Sequence, residues 1–482
     1  MAPRVAARLA LGALAGTLAC GGSSTGPSPS TPRIDYVDGA IEPVLVRGQM
    51  VVLEGFGFGD LQGSGVVQFS QSGGGAVPAV VVPGSWSDRA VRVIVPDNAA
   101  SGPLTLSTAG GRSLSSTVHV LPHVVFDPAS LTWQSRATFD HAPVGVALAA
   151  GTEPGSGGFD VVLYAAGGAE PLNGDSAIIP DSAVFVARVA PGGVIGNWTR
   201  PRDLPARRAY ATVAIANRYN SRFSGRALYV IGGVDTTGRA QATVFQSLAT
   251  TETALNPFTP IEPLPVPVAG AIAVVRRGRI YVMGGADTLG RPQPNVYVGR
   301  IGEDGHIDGW YAQPALPGPR AYGGGVVLDD TVTVFGGISD STRLGGGLDT
   351  LLPRLAGSDG APVSLVSGFF TGTWSAGGPT LSAGRSQFAT LSPGDAVLLV
   401  GGVYAGASGN TAETIAAAVL NGDSLGDFSG PVGTNSIAGL GGGTLVGPAG
   451  VTWLDADGTP HGLVLGGIDL VTRERRAGAW GF

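Results

Sequence analysis

Lysine does not occur in this sequence of 482 residues: all 29 basic side chains are arginine, set against 35 acidic ones. Schiff-base and lysine-nucleophile chemistry are thereby excluded. The net charge of −6 argues against a basic surface for nucleic acid. Charged residues make only 13% of the chain, about half the usual share, so the residues that furnish the solvent faces of helices are scarce. One cysteine, Cys20, leaves no internal disulfide, and stability has to come from burial. Apart from the first twenty residues, no segment approaches 18 uninterrupted apolar residues, the length that would suit a membrane-spanning helix.

What the chain has in excess is glycine (80) and proline (35), together about a quarter of it. That level borders on disorder, but a hydrophobic content of 43% is too apolar for an unfolded chain. Many short strands joined by glycine turns fit both numbers. The expected fold class is all-β.

Residues 1–20, MAPRVAARLALGALAGTLAC, carry Arg4 and Arg8 ahead of an apolar stretch from Leu9 to Ala19 that is too short to span a bilayer. This is an export signal. Cys20 ends it and is followed by a Gly/Ser/Thr/Pro run from 21 to 32, which resembles a bacterial lipoprotein signal with its flexible tether. That resemblance implies lipidation of Cys20, with several acyl chains holding the protein on a membrane of the cell envelope. The alternative is ordinary cleavage after Ala19 and a secreted protein with a free thiol.

From 33 to 121 the apolar residues fall in seven short runs separated by Gly, Pro, Ser and Asp, the pattern of an immunoglobulin-like sandwich. Ile41-Glu42-Pro43, Leu53-Glu54-Gly55-Phe56-Gly57-Phe58-Gly59, Ser85-Trp86-Ser87-Asp88 and Val91-Arg92-Val93-Ile94-Val95-Pro96 resemble the IPT/TIG family of such sandwiches. In that family the glycine-rich turn takes positive φ and the tryptophan packs the core, a role expected of Trp86. These sandwiches serve mostly as spacers or adhesive modules.

Beyond residue 123 the chain repeats itself. An apolar strand ending in two glycines occurs six times, closing at Gly168, Gly233, Gly285, Gly337, Gly402 and Gly467, which are 65, 52, 52, 65 and 65 residues apart. Arginine precedes the strand at Arg208, Arg320 and Arg385, and an aromatic follows the glycines at Trp198, Phe258, Trp310, Trp374, Phe428 and Trp480. The pattern resembles the kelch repeat, which implies one four-stranded blade of a β-propeller per unit, over about 123–482. Six glycine pairs predict six blades, with seven as the alternative. The last unit stops 15 residues after Gly467, too soon for four strands, so Val124–Phe126 and Leu131–Trp133 are expected to complete it from the other end of the repeat region and leave no open edge.

Candidate chemistry is sparse. Of the five histidines, His119 and His123 have no fixed mutual geometry, while Asp304, His306 and Asp308 fit a hairpin better than a metal site, as do Asp455 and Asp457. Propellers resembling galactose oxidase need a cysteine crosslinked to tyrosine, and Cys20 is spent in the signal. Kelch proteins also include sialic-acid epimerases, with acid/base groups in the central funnel. Arg208, Arg320 and Arg385 either gather at such a funnel or brace neighbouring blades. No catalytic residue, metal or cofactor is assigned. Two readings stay open: an envelope lipoprotein whose propeller face binds protein or glycan, and an exported carbohydrate-active enzyme with its site in the funnel.

Overall fold

The computed structural model describes residues 31–482 except 137–138, 140, 142, 156–157, 172–177, 217–225, 250–254, 303, 329, 341–354, 356, 365–367, 382, 405–413, 421–423, 430–444, 470–471, 473–475 and 477. Cys20 and its signal lie outside the described residues. Among the described residues the regular elements are strands, apart from one 3-10 turn at Pro128–Ser130.

The first unit is a sandwich of two sheets. Arg33–Val37, Met50–Phe56, Ala90–Ile94 and Val80–Val81 form one. Val44–Val46, Gly111–Leu121, Gly102–Thr108, Val66–Ser70 and Ala76–Pro78 form the other, where Val44–Val46 runs parallel to His119–Leu121. Alternate residues point inward: Val51, Leu53, Val67, Phe69, Val91, Val93, Leu104 and Leu106 make a dry core. Trp86 packs part-buried on its edge, donates its indole N–H to the carbonyl of Phe58 at 3.1 Å, and occupies the space a Cβ on Gly65 would need. Two of these strands, Arg33–Val37 and Ala76–Pro78, fall outside the seven apolar runs, because their mixed polar and apolar residues form no such run.

The second unit is a ring of six blades. Their innermost strands are Ala147–Gly155, Thr212–Ala216, Ile272–Arg276, Gly324–Leu328, Ala389–Leu391 and Ala449–Leu454, each beside the next and the last beside the first. The second strand of each blade is the apolar one before the glycine pair. Arg226–Ile231, Ala396–Val400 and Pro460–Leu465 are buried at every position. Their alternating side chains serve two different cores. Leu228 and Val230 pack toward the first blade, while Ala227, Tyr229 and Ile231 pack toward the third. Six such cores, one between each pair of neighbours, run around the ring. A single blade could not bury either face alone.

The sixth blade takes its outer strand from the start of the repeat region, as the short final unit implied. The strand itself differs from the expected segments: Gln134 and Ser135 pair with Gly481 and Trp480, and the amide of Arg136 continues to the carbonyl of Ala479 at 2.8 Å. Leu131, Trp133 and Phe126 instead wedge among Leu391, Leu398, Val400, Val464 and Trp480 between the fifth and sixth blades. Polar residues form the edge ladder and apolar ones the anchor, so hydrophobicity marked the anchor.

Both glycines of every pair have positive φ, 61–70° at the first and 86–101° at the second. At the first glycine a Cβ would strike the carbonyl oxygen of residue 143, 208, 268, 320, 385 or 445 in the following blade. At the second, the amide donates to that same carbonyl at 2.7–3.3 Å. Gly284→Ala, with φ of +63° and the Arg320 carbonyl in the way, is expected to cost about 2–5 kcal/mol in urea unfolding. Gly238→Ala, with φ of +75° and open space around it, should cost only about 1–2 kcal/mol. Equal losses at both would remove the inter-blade explanation of the pair.

Candidate functional site

The end of the propeller that carries the glycine pairs is organised by three consecutive residues leading into each innermost strand. The first, at 143, 208, 268, 320, 385 or 445, accepts the preceding blade's glycine amide. The second pairs with the residue just after the glycines of its own blade, as in Val144 with Ala169, Ala209 with Val234 and Ser386 with Val403. The third joins a ring. Tyr210 donates its amide to the carbonyl of Gly145 (2.8 Å), Gly270 to Tyr210 (2.8 Å), Tyr322 to Gly270 (2.8 Å), Gln387 to Tyr322 (2.9 Å), Gly447 to Gln387 (2.9 Å) and Gly145 to Gly447 (3.0 Å). Six peptide groups, one per blade, thus close head to tail around the axis. All six residues lie at φ between 52° and 68°, the left-handed region that glycine enters freely and tyrosine or glutamine only with strain.

The two tyrosines share this ring with glycines that make room for them. A Cβ on Gly145 would enter the ring of Tyr210, and one on Gly270 the ring of Tyr322. The phenol rings meet edge to face at 5.4 Å. Burial, followed by the proximity of Tyr322, pushes the Tyr210 hydroxyl well above its ordinary range, and burial pushes Tyr322 up to about 12. Both are neutral hydroxyls at physiological pH. Glu153 and Arg276 are the ionisable residues of the six innermost strands, and both sit toward the opposite, hairpin end.

Above this floor the second and third blades raise matching arches, Asp235-Thr236-Thr237-Gly238-Arg239-Ala240-Gln241 and Asp287-Thr288-Leu289-Gly290-Arg291-Pro292-Gln293. In each the aspartate accepts backbone amides, from Thr237 (2.8 Å) and Arg239 (3.2 Å) in one and from Leu289 (2.8 Å) and Arg291 (2.9 Å) in the other. Partial burial works against ionisation of Asp235 and Asp287, but these hydrogen bonds and the nearby arginines outweigh it, and both carboxyls lie below their ordinary range. The tips are exposed, with Leu289 at 68%.

The arginines singled out by the repeat stand at equivalent places in the second, fourth and fifth blades, two residues before the ring, and are buried. Arg208 donates to the carbonyl of Arg207 and the hydroxyl of Thr243 (both 2.8 Å) and lies over Phe245. Arg320 donates to the carbonyl of Gly336 and, at 2.6 Å, to Asp359 within its own blade. Burial lowers the pKa of both, most directly opposed at Arg320 by Asp359. Arg385 is 1% exposed.

Asp304 caps the amide of His306 at 3.0 Å in a hairpin whose Gly305 carbonyl takes Tyr229 and Gln246 of the second blade. Asp455 and Asp457 likewise hold a hairpin turn, through the 2.9 Å bonds of Gly458 to the Asp455 carbonyl and of Thr459 to the Asp457 side chain. Among the described residues no three His, Cys, Asp or Glu side chains converge as metal ligands. Two of the late tryptophans fasten the linker into their own blade: Trp310 donates to the carbonyl of Glu262 (3.0 Å) and Trp374 to that of Pro314 (2.8 Å).

Sequence reasoning passes over Tyr210, Tyr322, Gln387 and the arches, although Arg-Ala-Tyr recurs at 208–210 and 320–322 and Asp-Thr-x-Gly-Arg-x-Gln at 235–241 and 287–293. The signal that could have found the three ring side chains is position in the period, two residues after the arginine, rather than residue type.

Fold and site together define a six-bladed kelch-type β-propeller behind an N-terminal β-sandwich. The chain is 29% identical over 182 residues to beta-scruin of Limulus polyphemus, and 26% identical over 181 residues to alpha-scruin of the same animal. Each alignment takes in 37% of this chain and 18% of the relative, so the chain matches under a fifth of the length of these proteins. No family model matches it.

Arg320→Ala leaves Asp359 buried without its cation and is expected to cost about 3–5 kcal/mol. Replacing both, as Arg320→Met with Asp359→Leu, should cost clearly less. A double-mutant cycle by denaturant unfolding measures the difference, and additive losses would mean the pair is not coupled.

Proposed function

We propose that this chain is an exported, lipid-anchored protein of the bacterial cell envelope that binds a partner on the glycine-pair end of its propeller and has no catalytic funnel. The carrying observation is that the axis at that end is occupied by the protein's own main chain and by two phenol rings packed on glycine, which favours recognition over catalysis. Rigid arches on two adjacent blades, one tipped by exposed Leu289, suit the flat surface of a protein partner better than a small substrate, because an apolar anchor on a preorganised loop gives affinity at low entropic cost. Glycan is the second class of ligand. Arg208 and Arg320 direct their donors to groups of their own blade, which favours a strut within the blade over a funnel group or a brace between blades. On this reading Cys20 carries the lipid, and the IPT/TIG-like sandwich stands between tether and propeller.

A soluble form starting at Gly21 is expected to retain a specific partner from envelope extracts, and Leu289→Asp to lose it while unfolding at the same denaturant concentration. Equal retention by the variant, or turnover of a glycan substrate by the wild type, would overturn the proposal. For the anchor, Cys20→Ser should move the protein from the membrane pellet to the soluble fraction. A variant that still sediments with membranes would refute lipidation at this residue.

A further inference from the structure

The hairpin end of the propeller is not open to solvent: the sandwich is seated on it. The turn after Arg33–Val37 brings Asp38 to 2.6 Å from Arg276 and 4.0 Å from Arg277, both on the first hairpin of the third blade. Gly39 lies so close over Arg277 that a Cβ there would collide with its backbone. Asp330, on the corresponding hairpin of the fourth blade, pairs with Arg277 and with Arg92 of the sandwich. These five side chains are between 6% and 21% exposed, so the charges are largely withdrawn from water.

Around this cluster the contacts continue about the axis. Ile41 packs against the core between the second and third blades. His119 meets the edge of Phe159 on the first. Pro122 covers Gly458 on the sixth, and His123 lies 3.0 Å from Asp395 on the fifth. The hairpin ends of five blades and the core between the second and third are thereby engaged by one end of the sandwich and the segment that leaves it. Thr31 and Pro32 lie instead beside Gly111, in the turn that joins Gly102–Thr108 to Gly111–Leu121.

We infer that the sandwich is a fixed cap on the hairpin end of the propeller, keyed by the Asp38, Arg92, Arg276, Arg277 and Asp330 cluster, and not a swinging spacer. Three cations against two carboxylates in a part-buried setting hold one orientation, because any other leaves a buried charge without its counterion. The cap covers the hairpin end whatever the propeller binds. If the chain is tethered at Cys20, its N-terminal strand enters from the end of the sandwich remote from the propeller, and the glycine-pair face then points away from the membrane. Only that last step rests on the proposed function.

Small-angle scattering of the chain from Gly21 tests the inference. The wild type should scatter as one compact particle. Asp38→Arg sets a cation against Arg276 and Arg277 and should free the sandwich on residues 122–125, ahead of the anchored Phe126. The maximum dimension should then increase by roughly 10 Å, within reach of four extended residues. Asp38→Arg combined with Arg276→Asp should restore the compact curve. A wild type that is already extended, or a single reversal that changes nothing, would overturn the cap, as would a double reversal that stays extended with both units folded. Should Asp38→Arg not fold, Asp38→Asn read by hydrogen exchange at Arg276–Arg279 decides between roughly tenfold faster exchange, which supports the cap, and no change, which overturns it.

Discussion

The propeller depends on one constraint: at the glycine-pair end, six chains must pass close to a common axis, and every peptide group there must still find a partner. Water cannot reach all of them, and a buried amide left unpaired costs about 1–3 kcal/mol. The solution is two concentric sets of hydrogen bonds. The outer set runs from each second glycine to the next blade, and the inner set closes through residues 145, 210, 270, 322, 387 and 447. Each bond contributes only about 1 kcal/mol net, comparable to the strain of holding Tyr210, Tyr322 and Gln387 at positive φ. The rings fix geometry, while the six apolar cores between blades supply the stability.

That division explains which residue types are fixed and which are free. Each glycine of the pair is dictated twice over, by φ and by atoms that stand where a Cβ would be, the neighbouring blade's carbonyl at the first and its own blade's lead-in residues at the second. No other residue meets both conditions, so the pair recurs in all six units and reveals the period. The ring position is dictated by φ, and at Gly145 and Gly270 also by the phenol ring that a Cβ would enter. Glycine, tyrosine and glutamine all appear there, and the position has no compositional signature. The lead-in residue contributes a carbonyl, which any residue has. Arginine occupies it in three blades, and proline, valine and leucine in the other three.

The sequence therefore disclosed the architecture more fully than the site. Six doublets counted the blades, and apolar Val124–Phe126 and Leu131–Trp133 ahead of the first unit marked the stretch that closes the ring. Gln134 and Ser135 escaped notice because an outer strand is only half buried and needs no apolar residues. The cap was illegible for a different reason: Asp38 and Arg276 are 238 residues apart, and nothing in the spacing of either announces the other. Repetition exposes contacts that are made six times. A contact made once, between unlike units, leaves no period to detect.

Specificity in such a ring has to come from what the repeat does not fix. The backbone at the axis is nearly identical in all six blades, so it offers a partner no means of telling one side from another. Asymmetry enters through the two tyrosines and the glutamine on blades two, four and five, and through the arches on blades two and three. Gly447 and Gly145, adjacent in the ring, add no side chain of their own, and Tyr210 reaches toward Gly447. Among the described residues this end presents phenol rings, the Asp235 and Asp287 arches and the apolar tip of Leu289. With the hairpin end covered by the sandwich, the propeller is polar in the geometric sense, one end committed to its own chain and the other available. A closed rigid ring suits that arrangement because the arches keep their separation whether or not a partner is bound, and little ordering entropy then remains to oppose binding.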